Sequence, residues 1–215
     1  MKGIHADSIV KSYGTRRILS DIYIGCDVGE IVGLLGRNGS GKSTLLKVIF
    51  GSLSAESRFV KVDDNIRESL CRRDVGYLSQ NLFLPGHIRI ETIVKLFCSP
   101  QDAATLCNHH IIGSCLTKRG RELSGGERRM VELLIMLHSP AKYVLIDEPF
   151  NGLSPRYIEE IKRMIKAQSV SKGFIITDHS YLNILDIADT IFLLREGALH
   201  KVNDKDELKW HGYIP

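Results

Sequence analysis

The sequence predicts an α/β fold built on a mostly parallel sheet, and three features predict it. Short, uniformly apolar segments recur along the chain: Val75–Leu78, Tyr143–Ile146, Phe174–Thr177 and Ile191–Leu194. Helical stretches such as Arg156–Gln168 flank them, and strands apolar at every position belong in a sheet covered on both faces. Glu30–Leu35 is a further strand of this kind, followed by a glycine-rich turn and the helical Ser43–Phe50, which makes a strand–loop–helix unit.

Taken in order, the first elements differ from the rest. Two extended segments, around Ile4–Val10 and Ile18–Ile24, are separated by the turn residues Tyr13, Gly14 and Thr15, which predicts an antiparallel start. The Glu30 unit and the Val75 strand follow. From about Ile88 to Arg121 the spacing is helical with no convincing strand, so this stretch reads as a small helical insertion. A long helical run from Arg128 to about His138 precedes the Tyr143 strand. The expected organisation is one unit over 1–215, with about 1–87 and 122–215 as a catalytic core carrying the β subdomain and 88–121 as a helical subdomain.

Composition bounds the function. A chain of 215 residues, 43% hydrophobic and 25% charged, buries about 70% of its unfolded surface, so its core needs neither disulfides nor metals. The 29 Lys+Arg against 25 Asp+Glu leave a net charge of +4, too even for a nucleic-acid binder, and no nucleic-acid partner is expected. No apolar run reaches the roughly 18 residues that cross a bilayer. The start, MKGIHADSIVKSYG, lacks the apolar stretch of a secretory signal. Five scattered cysteines suit a reducing compartment, so a cytoplasmic location is expected.

The chemistry begins at Gly36-Arg37-Asn38-Gly39-Ser40-Gly41-Lys42-Ser43-Thr44, which fits the phosphate-binding loop pattern G-x-x-x-x-G-K-[ST]. Glycines let successive backbone N–H groups turn toward one oxyanion, and the helix starting at Lys42 adds its positive end. Lys42 is expected to reach the β- and γ-phosphates and the Ser43 hydroxyl to ligate Mg²⁺. Leu145-Ile146-Asp147-Glu148-Pro149 ends an apolar strand in two carboxylates. One of them, Asp147, suits the metal side, and the next, Glu148, suits a general base for water attacking the γ-phosphate.

Leu123-Ser124-Gly125-Gly126-Glu127 opens the next long helix. Ser124 and Glu127 fit a capping box, yet a cap does not call for two glycines at the first helical positions, where they cost stability. They make sense where a phosphate must approach bare backbone N–H groups.

With these motifs in place, nearly the whole chain resembles the nucleotide-binding domains of ATP-binding-cassette (ABC) proteins. Gly36–Ser43 looks like the family's Walker A loop, Tyr143–Glu148 like Walker B, and Leu123–Glu127 like the LSGGQ signature with Glu in the last place. Tyr13 matches the adenine-stacking aromatic, Gln80 the Q-loop glutamine and His179 the switch histidine. The resemblance implies a P-loop NTPase with a mostly parallel core sheet, an N-terminal antiparallel β subdomain and a small helical insertion. It implies ATP and Mg²⁺, the latter held by Ser43, Gln80 and Asp147. Glu148, His179 and Gln80 would act in hydrolysis. It also implies a head-to-tail dimer in which Ser124, Gly125 and Gly126 complete the partner's site in trans.

Lacking a membrane span, a transporter of this family needs separate permease subunits, which would hold the chain on the cytoplasmic face of the membrane. Family analogy places the permease contact around Asn81–Leu96, with Phe83, Leu84 and Ile88 as candidates. Two alternatives are a soluble ABC ATPase without a permease and an ATP-dependent clamp with weak hydrolysis. The second is motivated by Ser154, which stands where the family's D-loop usually carries Asp. The stretch between Walker A and the signature, 45 to 123, is shorter than expected for the family. Cys98, Cys107, His109, His110 and Cys115 cluster in the insertion, but no close C-x-x-C pair marks a metal site, and small buried cysteines with helix-surface histidines account for them.

Overall fold

The computed structural model describes residues 3–63, 65–66, 70–71 and 73–214. The chain begins with β1 (Gly3–Tyr13), β2 (Arg16–Asp27) and β3 (Ile31–Leu35), then α1 (Lys42–Phe50). β4 (Ser57–Val62), β5 (Asn65–Ile66) and β6 (Val75–Leu78) follow. Three short helices come next, α2 (Ile90–Phe97), α3 (Pro100–Cys107) and α4 (His110–Gly113), with a 3₁₀ turn at Gly120–Glu122. α5 (Gly125–Leu137), β7 (Tyr143–Asp147), α6 (Pro155–Ser169), β8 (Gly173–Thr177) and α7 (Tyr181–Ile187) alternate after that, and β9 (Thr190–Arg195), β10 (Ala198–Val202) and α8 (Lys205–Trp210) complete the described chain.

Two sheets result. The larger has the order β10-β9-β3-β8-β7-β6, parallel throughout except for the antiparallel β9–β10 edge. The smaller, β2-β1-β4-β5, is antiparallel. The apolar strands of the larger sheet are explained by what lies on each side of it. Val32, Leu34, Tyr143 and Leu145 point into a core shared with α1 and the small sheet. Ile31, Leu35, Val144 and Ile146 point the other way, into a core with α2 to α7. Successive side chains of a strand face opposite sides, so a strand buried on both faces favours apolar residues along its length.

The predicted strands and principal helices are present, with ends shifted by a few residues. Five elements go beyond the expectation. β4 and β5 extend the antiparallel start to four strands, β10 adds an antiparallel edge through a turn at Glu196 and Gly197, both at positive φ, and α7 and α8 are further helices. Residues between Ile88 and Arg121 add no strand to either sheet among the described residues; a single bridge joins Arg89 to Arg119.

Because five strands run parallel, their C-terminal ends share one rim. Leu35 leads into the glycine loop, Leu78 toward Gln80, Asp147 into Glu148, and Thr177 toward His179. Four distant stretches of sequence thus converge where a ligand binds in sheets of this kind.

Candidate functional site

A cleft of about 710 Å³ opens on this rim, lined by Tyr13, Asn38, Gly39, Gly41, Lys42, Ser43, Thr44, Gln80, Glu148 and His179, with Ile18 and Asn151. Its floor is the turn before α1. Gly41 is the N-cap of that helix at φ 111 and supplies no side-chain cap, so the first N–H groups of α1 remain available to an anion. A Cβ on Gly41 would stand 2.7 Å from Ile18 Cγ2. At Gly36 a Cβ would stand 2.8 Å from the Leu194 carbonyl oxygen. Both glycines are therefore required by close approach as well as by backbone shape.

Lys42 is 6% exposed and donates to the carbonyls of Gly36 at 2.7 Å and Arg37 at 3.4 Å. Burial pulls its ammonium below the ordinary lysine value, while the carboxylates of Glu148, Asp147 and Asp178 push it back up. Across the cleft, Gln80 Nε2 donates to Glu148 Oε2 at 2.8 Å. Glu148 occupies the left-handed region, φ 50, a conformation costing about 1–3 kcal/mol outside glycine. Its amide is held by the Thr177 carbonyl at 3.0 Å and by Thr177 Oγ1 at 3.2 Å. His179 is 57% exposed, with Nδ1 3.7 Å from Asp178 Oδ1. Asp178 is fully buried; burial raises its carboxyl above the usual value, opposed by the Ser180 amide that donates to it at 2.7 Å.

Several expected residues lie elsewhere. Asp147 is 1% exposed and sits behind the cleft lining. Thr177 Oγ1 donates to its Oδ1 at 2.7 Å and the Tyr77 hydroxyl reaches its Oδ2 at 3.5 Å. It ends an interior strand, where both faces are covered. Arg37 turns away from the cleft, its guanidinium donating to the Gly212 carbonyl at 2.7 Å, and Gly36 and Ser40 also stand outside the lining. Leu84 is 1% exposed, so of the three suggested permease-contact residues only Phe83 and Ile88 are partly accessible.

Ser124, Gly125 and Gly126 do not line this chain's cleft. They start α5 on the surface, where Ser124 Oγ accepts from the Glu127 amide at 3.3 Å and Glu127 Oε2 accepts from the Ser124 amide at 2.8 Å. A Cβ on Gly125 would meet nothing within 4 Å, so no packing inside the chain requires glycine there. Ser154 is the N-cap of α6 but makes no side-chain cap bond.

Sequence reasoning missed Arg129 and Glu132 on α5. Arg129, 3% exposed, donates to the carbonyls of Ser79 at 2.8 Å, Asp147 at 2.8 Å and Glu148 at 2.9 Å. Glu132, fully buried, accepts from the amides of Phe83 at 2.7 Å and Leu84 at 2.9 Å and lies 3.7 Å from Arg129. This pair ties the stretch around Gln80 to the backbone of the two carboxylates. The signal was available: Glu132, in a run otherwise apolar from Met130 to Leu137, three residues after Arg129, implies a buried ion pair.

Mg²⁺ requires hard oxygen donors. The Ser43 hydroxyl and the Gln80 amide face the cleft, and the Asp147 carboxylate stands behind it, so the donor set has the right chemistry.

Comparison with known proteins agrees with this geometry. The family described as ABC transporter matches residues 19–151. The chain is 30% identical to the lipopolysaccharide export system ATP-binding protein LptB of Escherichia coli strain K12, over 93% of this chain and 89% of that protein. It is 28% identical to the sulfate/thiosulfate import ATP-binding protein CysA of Bacillus cereus, over 95% of this chain and 62% of that protein. A solved ATP-binding subunit of an ABC transporter superposes with a TM-score of 0.86 at 22% identity, covering 97% of this chain and 93% of that one, which shows a shared fold.

Proposed function

The chain belongs to the ABC transporter family, and from that premise we propose that it is an ATP-hydrolysing subunit that closes head-to-tail on a second copy and drives a separate membrane permease. The observation that carries this reading is the cleft in which Tyr13, residues 38–39 and 41–44 of the glycine loop, Gln80, Glu148 and His179 meet from five distant stretches. No helix among the described residues is long and apolar enough to cross a membrane, which is consistent with a path supplied by another chain at the cytoplasmic face.

ATP would stack its base on Tyr13, half exposed at the end of the β1–β2 hairpin, and place its phosphates over the N–H groups of α1. Lys42 would exchange the Gly36 carbonyl for phosphate oxygen, a stronger acceptor for an ammonium. Glu148 would take the proton from the attacking water, and His179 would hold that water and the γ-phosphate. Ser43, Gln80 and Asp147 would hold Mg²⁺, which would supply neutralisation of phosphate charge. The Gln80–Glu148 bond would have to be given up for this. Ser124 and Gly125, exposed, and Gly126, partly exposed, are uninvolved in their own cleft and suit a phosphate presented by a partner chain.

The test is purification in mild detergent with identification of the co-purifying protein, together with ATPase assay of the isolated chain. An integral membrane partner, and turnover that rises with protein concentration as a dimer requires, support the proposal. Full activity as a monomer without a membrane partner would replace it by the soluble ATPase reading.

A further inference from the structure

We propose that His109, His110 and Glu160 form a binding site for a divalent transition-metal ion of the zinc class, bridging α4 and α6. Among the described residues these three make the one group of three or more metal-ligating side chains whose ligand atoms all lie within 4.8 Å of one another. The Nε2 atoms of both histidines stand 3.5 Å from the same carboxylate oxygen, Glu160 Oε1. Ligands at 2.0–2.1 Å on a tetrahedral ion are separated by roughly 3.3–3.4 Å, so two edges of the polyhedron are already near their final length. The imidazole rings stack with centroids 4.6 Å apart and 30° between planes, which brings both Nε2 atoms to the same carboxylate.

The donor set fits the ion. Two imidazoles and one carboxylate suit zinc and its neighbours in preference to Mg²⁺ or Ca²⁺, and His110, 62% exposed, leaves the fourth position open to water. Glu160 is only 15% exposed, and its ion-pair partners among the described residues are these two histidines alone. A half-buried carboxylate without lysine or arginine is a poor arrangement by itself and a good one beside a cation. One contact opposes binding: His109 Nδ1 accepts from the Ile111 amide at 3.4 Å, and a metal on Nε2 would put the ring proton on Nδ1. That contact is long for a hydrogen bond, so little is lost. Cys98, Cys107 and Cys115 take no part.

The site joins two separately anchored elements. Ile111 and Ile112 of α4 are buried in the core, while α6 begins at Pro155, directly after the loop that leaves Glu148. A bound ion would staple the helical insertion to the helix that follows the hydrolytic carboxylate.

The experiment uses the full chain treated with a chelator, without nucleotide, and titrates Zn²⁺ by calorimetry and thermal unfolding. Wild type should bind a single ion saturably, and Zn²⁺ at about 100 times its Kd should raise Tm by about 5 °C or more. His110→Ala and Glu160→Gln, both at partly exposed positions, should each weaken binding at least tenfold, by about the margin expected for disturbing a metal site, and lose the Tm gain. His200→Ala, which breaks the other histidine pair at 4.9 Å from His211, should change neither. Absence of saturable binding by wild type overturns the proposal. So does unchanged binding in both variants, or loss of binding in His200→Ala.

Discussion

The two glycine-rich helix starts of this molecule, at α1 and at α5, look alike in sequence and differ in every contact. At α1 the neighbours require the glycines: Ile18 and the Leu194 carbonyl stand where their side chains would be. At α5 nothing within the chain occupies the space beside Gly125, and Ser124 is engaged only with its own helix. One site is finished within the chain, and the other presents bare backbone to whatever approaches. The same helix α5 also reaches the first site, because Arg129 and Glu132 one turn further on hold the backbone around Ser79, Leu84 and Glu148. Its outward end and the backbone of Glu148 are therefore tied to one helix.

The largest expected effect tests the finished site. Glu148→Gln keeps the side-chain shape but removes the base, and turnover should fall by about 10²–10⁴-fold while ATP traps a dimer on size exclusion. Hydrolysis near the wild-type rate would remove Glu148 from its role. Next comes the link between the two sites: Arg129→Leu leaves the buried Glu132 with Arg128, 3.9 Å away, as its remaining cationic partner, and urea unfolding should show a loss of about 3–5 kcal/mol. A loss below about 1 kcal/mol would mean that Arg128 and the amides of Phe83 and Leu84 suffice for Glu132.

Gly125→Ala separates the two glycine-rich starts most directly. Stability should change by no more than about 1 kcal/mol, since the added methyl meets nothing in the chain, whereas ATPase should fall by about 100-fold if a phosphate must come within contact distance. Unchanged ATPase would make the exposed glycines incidental. The smallest effect belongs to Ser154→Asp. A carboxylate at the uncapped start of α6 should add about 0.3–1 kcal/mol, and turnover or its cooperativity should rise if the family's usual Asp acts across the dimer. Added stability with unchanged turnover would reduce position 154 to a helix cap and weaken the case for a clamp.

Much of this was legible from residue order. The loop Gly36–Thr44, the carboxylates ending β7 and the capped start of α5 are local patterns, in which a few adjacent residues carry both the backbone shape and the chemistry. The parallel sheet was legible because burial on both faces leaves strands uniformly apolar. β4, β5 and β10 were not: β5 and β10 are edge strands and β4 is half exposed, so none carries such a run. The orientation of Asp147 and Arg37 was equally hidden: motif position does not say that one carboxylate points behind the cleft or that one guanidinium reaches Gly212.

What the sequence determined by itself is the nucleotide chemistry, the architecture of the sheet and the family, because each rests on short-range order along the chain. Tertiary structure decided which groups act together. It joined Gln80 to Glu148 across 68 residues, placed Arg129 against the backbone carbonyls of Asp147 and Glu148, turned Ser124 and Gly125 outward, and brought Glu160 to a histidine pair fifty positions earlier. Such pairings follow from packing of whole elements, and no spacing between neighbours in sequence encodes them.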